Sequence, residues 1–208
     1  MKIAIIGKGN VANALGQRWN DGAHEVMFGV RRPDQHEPPV PSERKTIRIA
    51  ALDVALDWGE LIVLALPYEA ALELLRTAGP LSEKVIVDAT NPLAPGLTGL
   101  SAPPGSSGAE ELQKLQPHAH VIKCFNTTGY NNMIQPQYGA HDATMLLCGS
   151  DAVAKASVKL LAEELGFAPV DAGPLNMAHH LESLAYLWIK LALSQGHGRE
   201  IAFILHSR

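Results

Sequence analysis

The sequence predicts an α/β protein with a doubly wound, mostly parallel sheet, and three observations predict it. Apolar runs of strand length alternate with helical stretches along most of the chain. The first such strand, Ile3 to Ile6, runs directly into Gly7-Lys8-Gly9-Asn10-Val11-Ala12, a glycine-rich turn that opens a helix. Aliphatic residues are plentiful while aromatic ones make up only 5%, a composition suited to strands buried beneath helices on both faces.

The first unit carries most of the functional information. Gly7 permits the tight strand-to-helix turn, and Gly9 lets an anionic ligand approach the backbone. Ala12 takes the third small position and Gly16 follows one turn later, so the helix can lie close on the sheet. Free N–H groups and the macrodipole at that helix start favour a pyrophosphate. The second strand then ends Val30-Arg31-Arg32, with no acid until Asp34. In Rossmann-type units an acid closing this strand accepts hydrogen bonds from a free ribose 2′-hydroxyl, whereas arginine accommodates a 2′-phosphate. The expected dinucleotide is NADP(H), not NAD(H).

Further along, Pro33, Pro38, Pro39 and Pro41 exclude a regular helix, so an extended crossover or short loop is expected there. Residues 46–50 read as a strand, 50–59 as a short helix, and 61–67 as an apolar strand ended by Pro67. A helix over 68–79 and a strand over 84–92 repeat the alternation. Residues 93–108, rich in Gly, Pro and Ser, read as a long loop over the carboxyl edge of the sheet, where ligands bind in open α/β folds. A helix over 109–116, strands over 120–128 and 144–150, and a helix over 152–166 follow. Residues 167–174 lead into a last helix at about 175–195. The division expected is a dinucleotide-binding domain over 1–150 and a helical portion over 151–208 packed on the same core. The last helix carries Leu181, Leu184, Trp188 and Leu191 at helical spacing, with Tyr186, Leu187, Ile189 and Leu193 widening the apolar surface. Two readings stand for it: core of its own chain, or the interface of a homodimer.

The net charge of −4 gives no reason to expect nucleic acid or an anionic membrane as partner. No apolar run approaches the ~20 residues of a membrane span, and strand one begins almost at Met1, which leaves no room for a signal peptide. Cys124 and Cys148 read as buried free thiols, and a cytoplasmic location is expected. Neither a Ser/His/Asp arrangement nor a metal-spaced cluster is present, and no metal is expected. His179 and His180, being adjacent, should point to different faces and make a poor metal pair. Asn126 and Thr127 either hydrogen-bond a ligand ring or carboxamide, or simply begin a loop. Glu182 reads as a structural hydrogen-bond partner and Lys123 as a sheet-edge charge.

Six segments together resemble one family: GKGNVANALG, GVRRP, LALPYEAA, VDATNP, KCFNT and VDAGPLNMAHHLESL. They look like the NADP oxidoreductases dependent on the deazaflavin coenzyme F420 and their bacterial relatives, over nearly the whole chain and in order. The cytoplasmic domain of the six-transmembrane metalloreductases is similar too. The resemblance implies hydride transfer between NADP(H) and a planar partner, F420 or a flavin. By matching position, Gly7, Lys8, Gly9, Asn10, Val11 and Ala12 would cradle the pyrophosphate. Arg31 and Arg32 would take the 2′-phosphate, with Val30 where the family often has a hydroxyl side chain. Leu66, Pro67, Ala89, Thr90 and Asn91 would border the nicotinamide, and Asn126 and Thr127 would position the partner ring. Asn126, where the archaeal members place His, and His179, where the family has Arg, depart from the pattern. The proline-rich crossover replaces a helix of the archaeal members. Hydride transfer asks the protein mainly to hold two rings face to face and dry, so the absence of an acid or base is no obstacle. Hydroxyacid and imine dehydrogenases share the first unit but use a long helical second domain, for which about 58 residues are too few. A non-enzymatic NADPH sensor or partner-binding module is the alternative, because fold alone does not fix function.

Overall fold

A computed structural model of the protein describes residues 1–36 and 47–207. The chain opens with β1 (Lys2–Ile6), α1 (Asn10–Asp21) and β2 (Glu25–Val30), followed by a single 3-10 turn over Pro33–Gln35. The crossover prolines Pro38, Pro39 and Pro41 lie outside the described residues. Next come β3 (Arg48–Ala51), α2 (Leu52–Trp58), β4 (Leu61–Leu64), α3 (Tyr68–Thr77) and β5 (Val85–Asp88). The loop after β5 contains a 3-10 turn at Pro95–Leu97 and leads to α4 (Gly108–Leu115) and β6 (His120–Lys123). A short helix α5 (Tyr130–Ile134) and a small hairpin of β7 (Gln137–Tyr138) and β8 (His141–Asp142) precede β9 (Thr144–Gly149). The chain closes with α6 (Ala152–Glu164), β10 (Ala168–Asp171) and α7 (Ala178–Ser194).

One eight-stranded sheet runs β10-β9-β6-β5-β4-β1-β2-β3. From β3 to β6 every pairing is parallel, in the 3-2-1-4-5-6 order of a doubly wound dinucleotide fold. The strand β9 pairs antiparallel with β6, with Lys123 opposite Cys148, and β10 runs parallel to β9. Residues 168–171 are therefore a strand, not merely a lead-in to the last helix. Alanine, proline and aspartate give that edge strand little sequence signal.

Side-chain alternation divides the core into two layers. Ile3 and Ile5 of β1 and Leu61 and Val63 of β4 pack with Leu15 and Trp19 of α1 and Val158 and Leu161 of α6. Ala4, Ile6, Ile62 and Leu64 face the other way, against Leu75 of α3, Leu112 of α4 and Leu181 of α7. The change of winding direction between β1 and β4 leaves a crevice at their carboxyl ends, and this positions the site.

Candidate functional site

The Gly7 turn lies in that crevice. Gly7 takes φ 116°, and a Cβ there would be driven into the Ala65 carbonyl, so only glycine fits between β1 and β4. By contrast, a Cβ on Gly9 would meet nothing within 4 Å: the space above the α1 N-terminus is open. No side chain caps that helix start, which leaves its first N–H groups for a ligand. Asn13, one turn into α1, donates from Nδ2 to the carbonyls of Lys8 and Gly9, each at 3.0 Å, and so fixes the loop. Sequence reasoning missed this residue, whose only signal was an amide in the first turn of the helix. Ala12 and Gly16 are buried, and a Cβ on Gly16 would stand 2.7 Å from the Phe28 ring. Asn10 is exposed and Val11 half-buried above them.

Val30 is buried at the end of β2, and Arg31 and Arg32 follow it exposed. Among the described residues no hydrogen bond or ion pair holds either guanidinium. Two unpaired arginines beside an open helix N-terminus form a ready anion site.

The carboxyl ends of β4, β5 and β6 bring the remaining candidates together. A Cβ on Gly7 would lie 3.7 Å from Leu66, so the anion turn adjoins the Leu66–Pro67 step. Asn91 and Asn126 are joined twice: Asn126 Nδ2 donates to Asn91 Oδ1 at 3.1 Å, and Asn91 Nδ2 to the Asn126 carbonyl at 3.0 Å. Phe125, buried with φ 60°, turns the chain sharply to present Asn126 and Thr127. Asn126 Oδ1 and Thr90 Oγ1 are buried with no partner. Ala89 is half-buried beside them. Unsatisfied acceptors of this kind are rare in native proteins, and a carboxamide is the sort of donor they suit. The open helix start has the chemistry to receive phosphates, and these two oxygens that to receive an amide donor.

Lys123 is not a sheet-edge charge. It is fully buried, donating to Asp88 Oδ2 at 2.8 Å, Glu182 Oε1 at 2.9 Å and the Thr90 carbonyl at 2.8 Å. Burial opposes its charge, but the Asp88 and Glu182 carboxylates outweigh this and raise its pKa above the usual lysine value. Its signal was the strand register, which sets Lys123 directly beside Asp88. Glu182 is a structural partner, as expected, also accepting from the Gly108 and Ala109 N–H groups at the start of α4. Nearby Tyr68 has its hydroxyl pKa pushed up by burial and by the carboxylates of Glu111, Glu182 and Asp88.

His179 and His180 do not diverge. Their exposed rings lie 3.7 Å apart, and His179 Nδ1 pairs with the Asn176 carbonyl. Among the described residues no three His, Cys, Asp or Glu side chains gather as metal ligands, and no helix is long and apolar enough to cross a membrane.

Comparison with known proteins agrees with this geometry. Residues 2–92 match the model of the family described as NADP oxidoreductase, coenzyme F420-dependent. Over its full length the chain is similar to a protein from Arthrobacter sp. FB24 provisionally described as an F420-dependent NADP-reductase. The TM-score is 0.84 at 29% identity, covering 100% of both chains. Rat metalloreductase STEAP3 is 29% identical over 185 residues, which are 88% of this chain and 36% of that protein. The chain thus spans about a third of the length of the curated relatives it matches. An imine reductase from Aspergillus terreus, solved with NADPH4, shares the fold at 20% identity and TM-score 0.69, covering 94% of this chain and 63% of that one. The common element is an oxidoreductase family built on an NADP-binding fold.

Proposed function

We propose that the chain, whose residues 2–92 match the model of the NADP oxidoreductases dependent on coenzyme F420, binds NADP(H) and transfers a hydride between it and a planar acceptor, F420 or a flavin. The observation that carries the proposal is the pairing of an open, uncapped glycine turn with two solvent-exposed, unpaired arginines at the end of the adjoining strand. Gly9 and the α1 N-terminus would hold the pyrophosphate, and Arg31 and Arg32 the 2′-phosphate. Thr90, Asn91 and Asn126 would hold the carboxamide edge. NADPH supplies the hydride, and the acceptor takes it together with one solvent proton. The protein contributes orientation and exclusion of water. The curated metalloreductases extend far beyond this chain, so their metal chemistry is not carried over to it.

Stopped-flow mixing of NADPH-loaded protein with F420, and separately with FMN, tests the proposal. Loss of the reduced-nicotinamide absorbance with one acceptor and not without it is expected. Tight NADPH binding with no oxidation by either acceptor would contradict the enzyme reading and favour a sensor.

A further inference from the structure

The buried Asp88–Lys123–Glu182 cluster touches both ends of the loop that joins the candidate ring edge to α4. At the leading end, Thr90 is held through both backbone groups: its N–H donates to Asp88 Oδ1 at 2.9 Å, and its carbonyl accepts from Lys123 Nζ. Asn91 follows directly and carries the amide pair with Asn126, itself three residues beyond Lys123. At the trailing end, Gly108 and Ala109 donate to the two oxygens of Glu182, at 3.1 and 3.3 Å. A Cβ on Gly108 would stand 3.1 Å from Glu182 Oε1 and 2.9 Å from the Tyr68 ring, so a side chain there would crowd this contact. Between these anchors the loop is closed by Ser101 N–H to the Pro92 carbonyl at 2.7 Å and tied to α7 by Tyr186 Oη on the Leu97 carbonyl. All three charged side chains are excluded from solvent.

Burying three charges is expensive, and apolar residues of similar volume often serve stability equally well. Their connections here run to the backbone of the candidate ligand edge and to the start of α4 at the far end of the loop that follows it. We propose that Glu182, through Lys123 and the α4 N-terminus, is a positioning residue that sets Thr90, Asn91 and the 93–107 loop to receive the nicotinamide end of the cofactor. This inference rests on the NADP(H) reading above.

The test compares two ligands that share the adenosine end. NADPH reaches the nicotinamide edge, whereas 2′,5′-ADP stops at the ribose phosphate and pyrophosphate side. Calorimetric titration of wild type, Glu182→Leu and Glu182→Gln should show 2′,5′-ADP affinity unchanged within about two-fold. NADPH should weaken at least about ten-fold in Glu182→Leu and by less in Glu182→Gln, which keeps one acceptor. Hydrogen exchange of the ligand-free variants should quicken at residues 90–91 and 93–109 and stay unchanged over 7–12. If Glu182→Leu does not fold, Glu182→Gln alone must still show the split. A parallel loss for both ligands, or no loss for either, would overturn the inference while leaving the NADP(H) reading intact. Wild type that binds neither ligand would overturn that reading and this inference together.

Discussion

At Gly7 the positive φ and the crowding against the Ala65 carbonyl leave no room for a side chain. Gly7→Ala should cost at least about 2 kcal/mol of stability, read as a drop in the urea midpoint, because it combines an unfavourable backbone region with a steric clash. Gly9→Ala, with open space around its Cβ, should leave stability nearly unchanged yet weaken NADPH, since the methyl intrudes on the ligand. A Gly7→Ala variant as stable as wild type would mean the turn can relax. The turn role of Gly7 was legible because a strand running straight into a helix needs such a turn. Asn13 was not legible, because an amide inside a helix has no pattern of its own until the loop carbonyls it caps are seen. Lys123 misled for a similar reason. A lysine at the end of an apolar strand reads as an exposed terminus, and only the pairing with Asp88 and the later arrival of Glu182 make burial tolerable.

Among the elements, β5, β6 and α7 are tied by that ion cluster. Lys123→Met would leave two buried carboxylates without a counter-charge and should destabilise the protein by about 3–5 kcal/mol. The deficit should shrink as the pH falls from 8 to 5, because a stranded carboxylate can take up a proton. In the wild type the dependence has the same sign but falls at higher pH. Lys123 has its pKa raised on folding, so its contribution is complete below the ordinary lysine value and is lost only as pH rises through the folded one. A Lys123→Met deficit independent of pH would contradict this account. The central thiols give a second check. Burial pushes Cys148 up to about 12, and Cys124 is raised as well, so neither should react with Ellman's reagent at pH 8 until the protein unfolds. Strands β1 through β6 were legible from apolar runs and breakers. The strand β10 and the β7–β8 hairpin were not, since two to four residues at a sheet edge carry too little periodicity to detect.

For the whole molecule, the mostly parallel doubly wound sheet was legible from the alternation of strand and helix, whereas the strand order and the antiparallel β9 appear only in the pairing of the strands. What α7 does for assembly was not legible either. Trp188 is buried in its own chain, donating from Nε1 to the Ile201 carbonyl at 2.8 Å. Leu187 and Leu193 on the same helix remain 48% and 50% exposed. An amphipathic count cannot tell a face covered by the chain's own C-terminal segment from one left for a second copy. The expectation is a homodimer through this face, seen by sedimentation velocity at micromolar concentration, with Leu187→Glu shifting it toward monomer; a monomeric wild type would contradict it. Under the proposed function, Arg31 and Arg32 select a 2′-phosphorylated dinucleotide. Two charge-assisted hydrogen bonds of about 1.5–3 kcal/mol each correspond to at least about 100-fold in affinity. Titration calorimetry of NADPH and NADH against wild type and Arg31→Ala/Arg32→Ala measures this directly. The account predicts that the double substitution raises the NADPH dissociation constant at least about 100-fold and leaves NADH nearly unchanged, whereas an unchanged ratio of the two constants would contradict it.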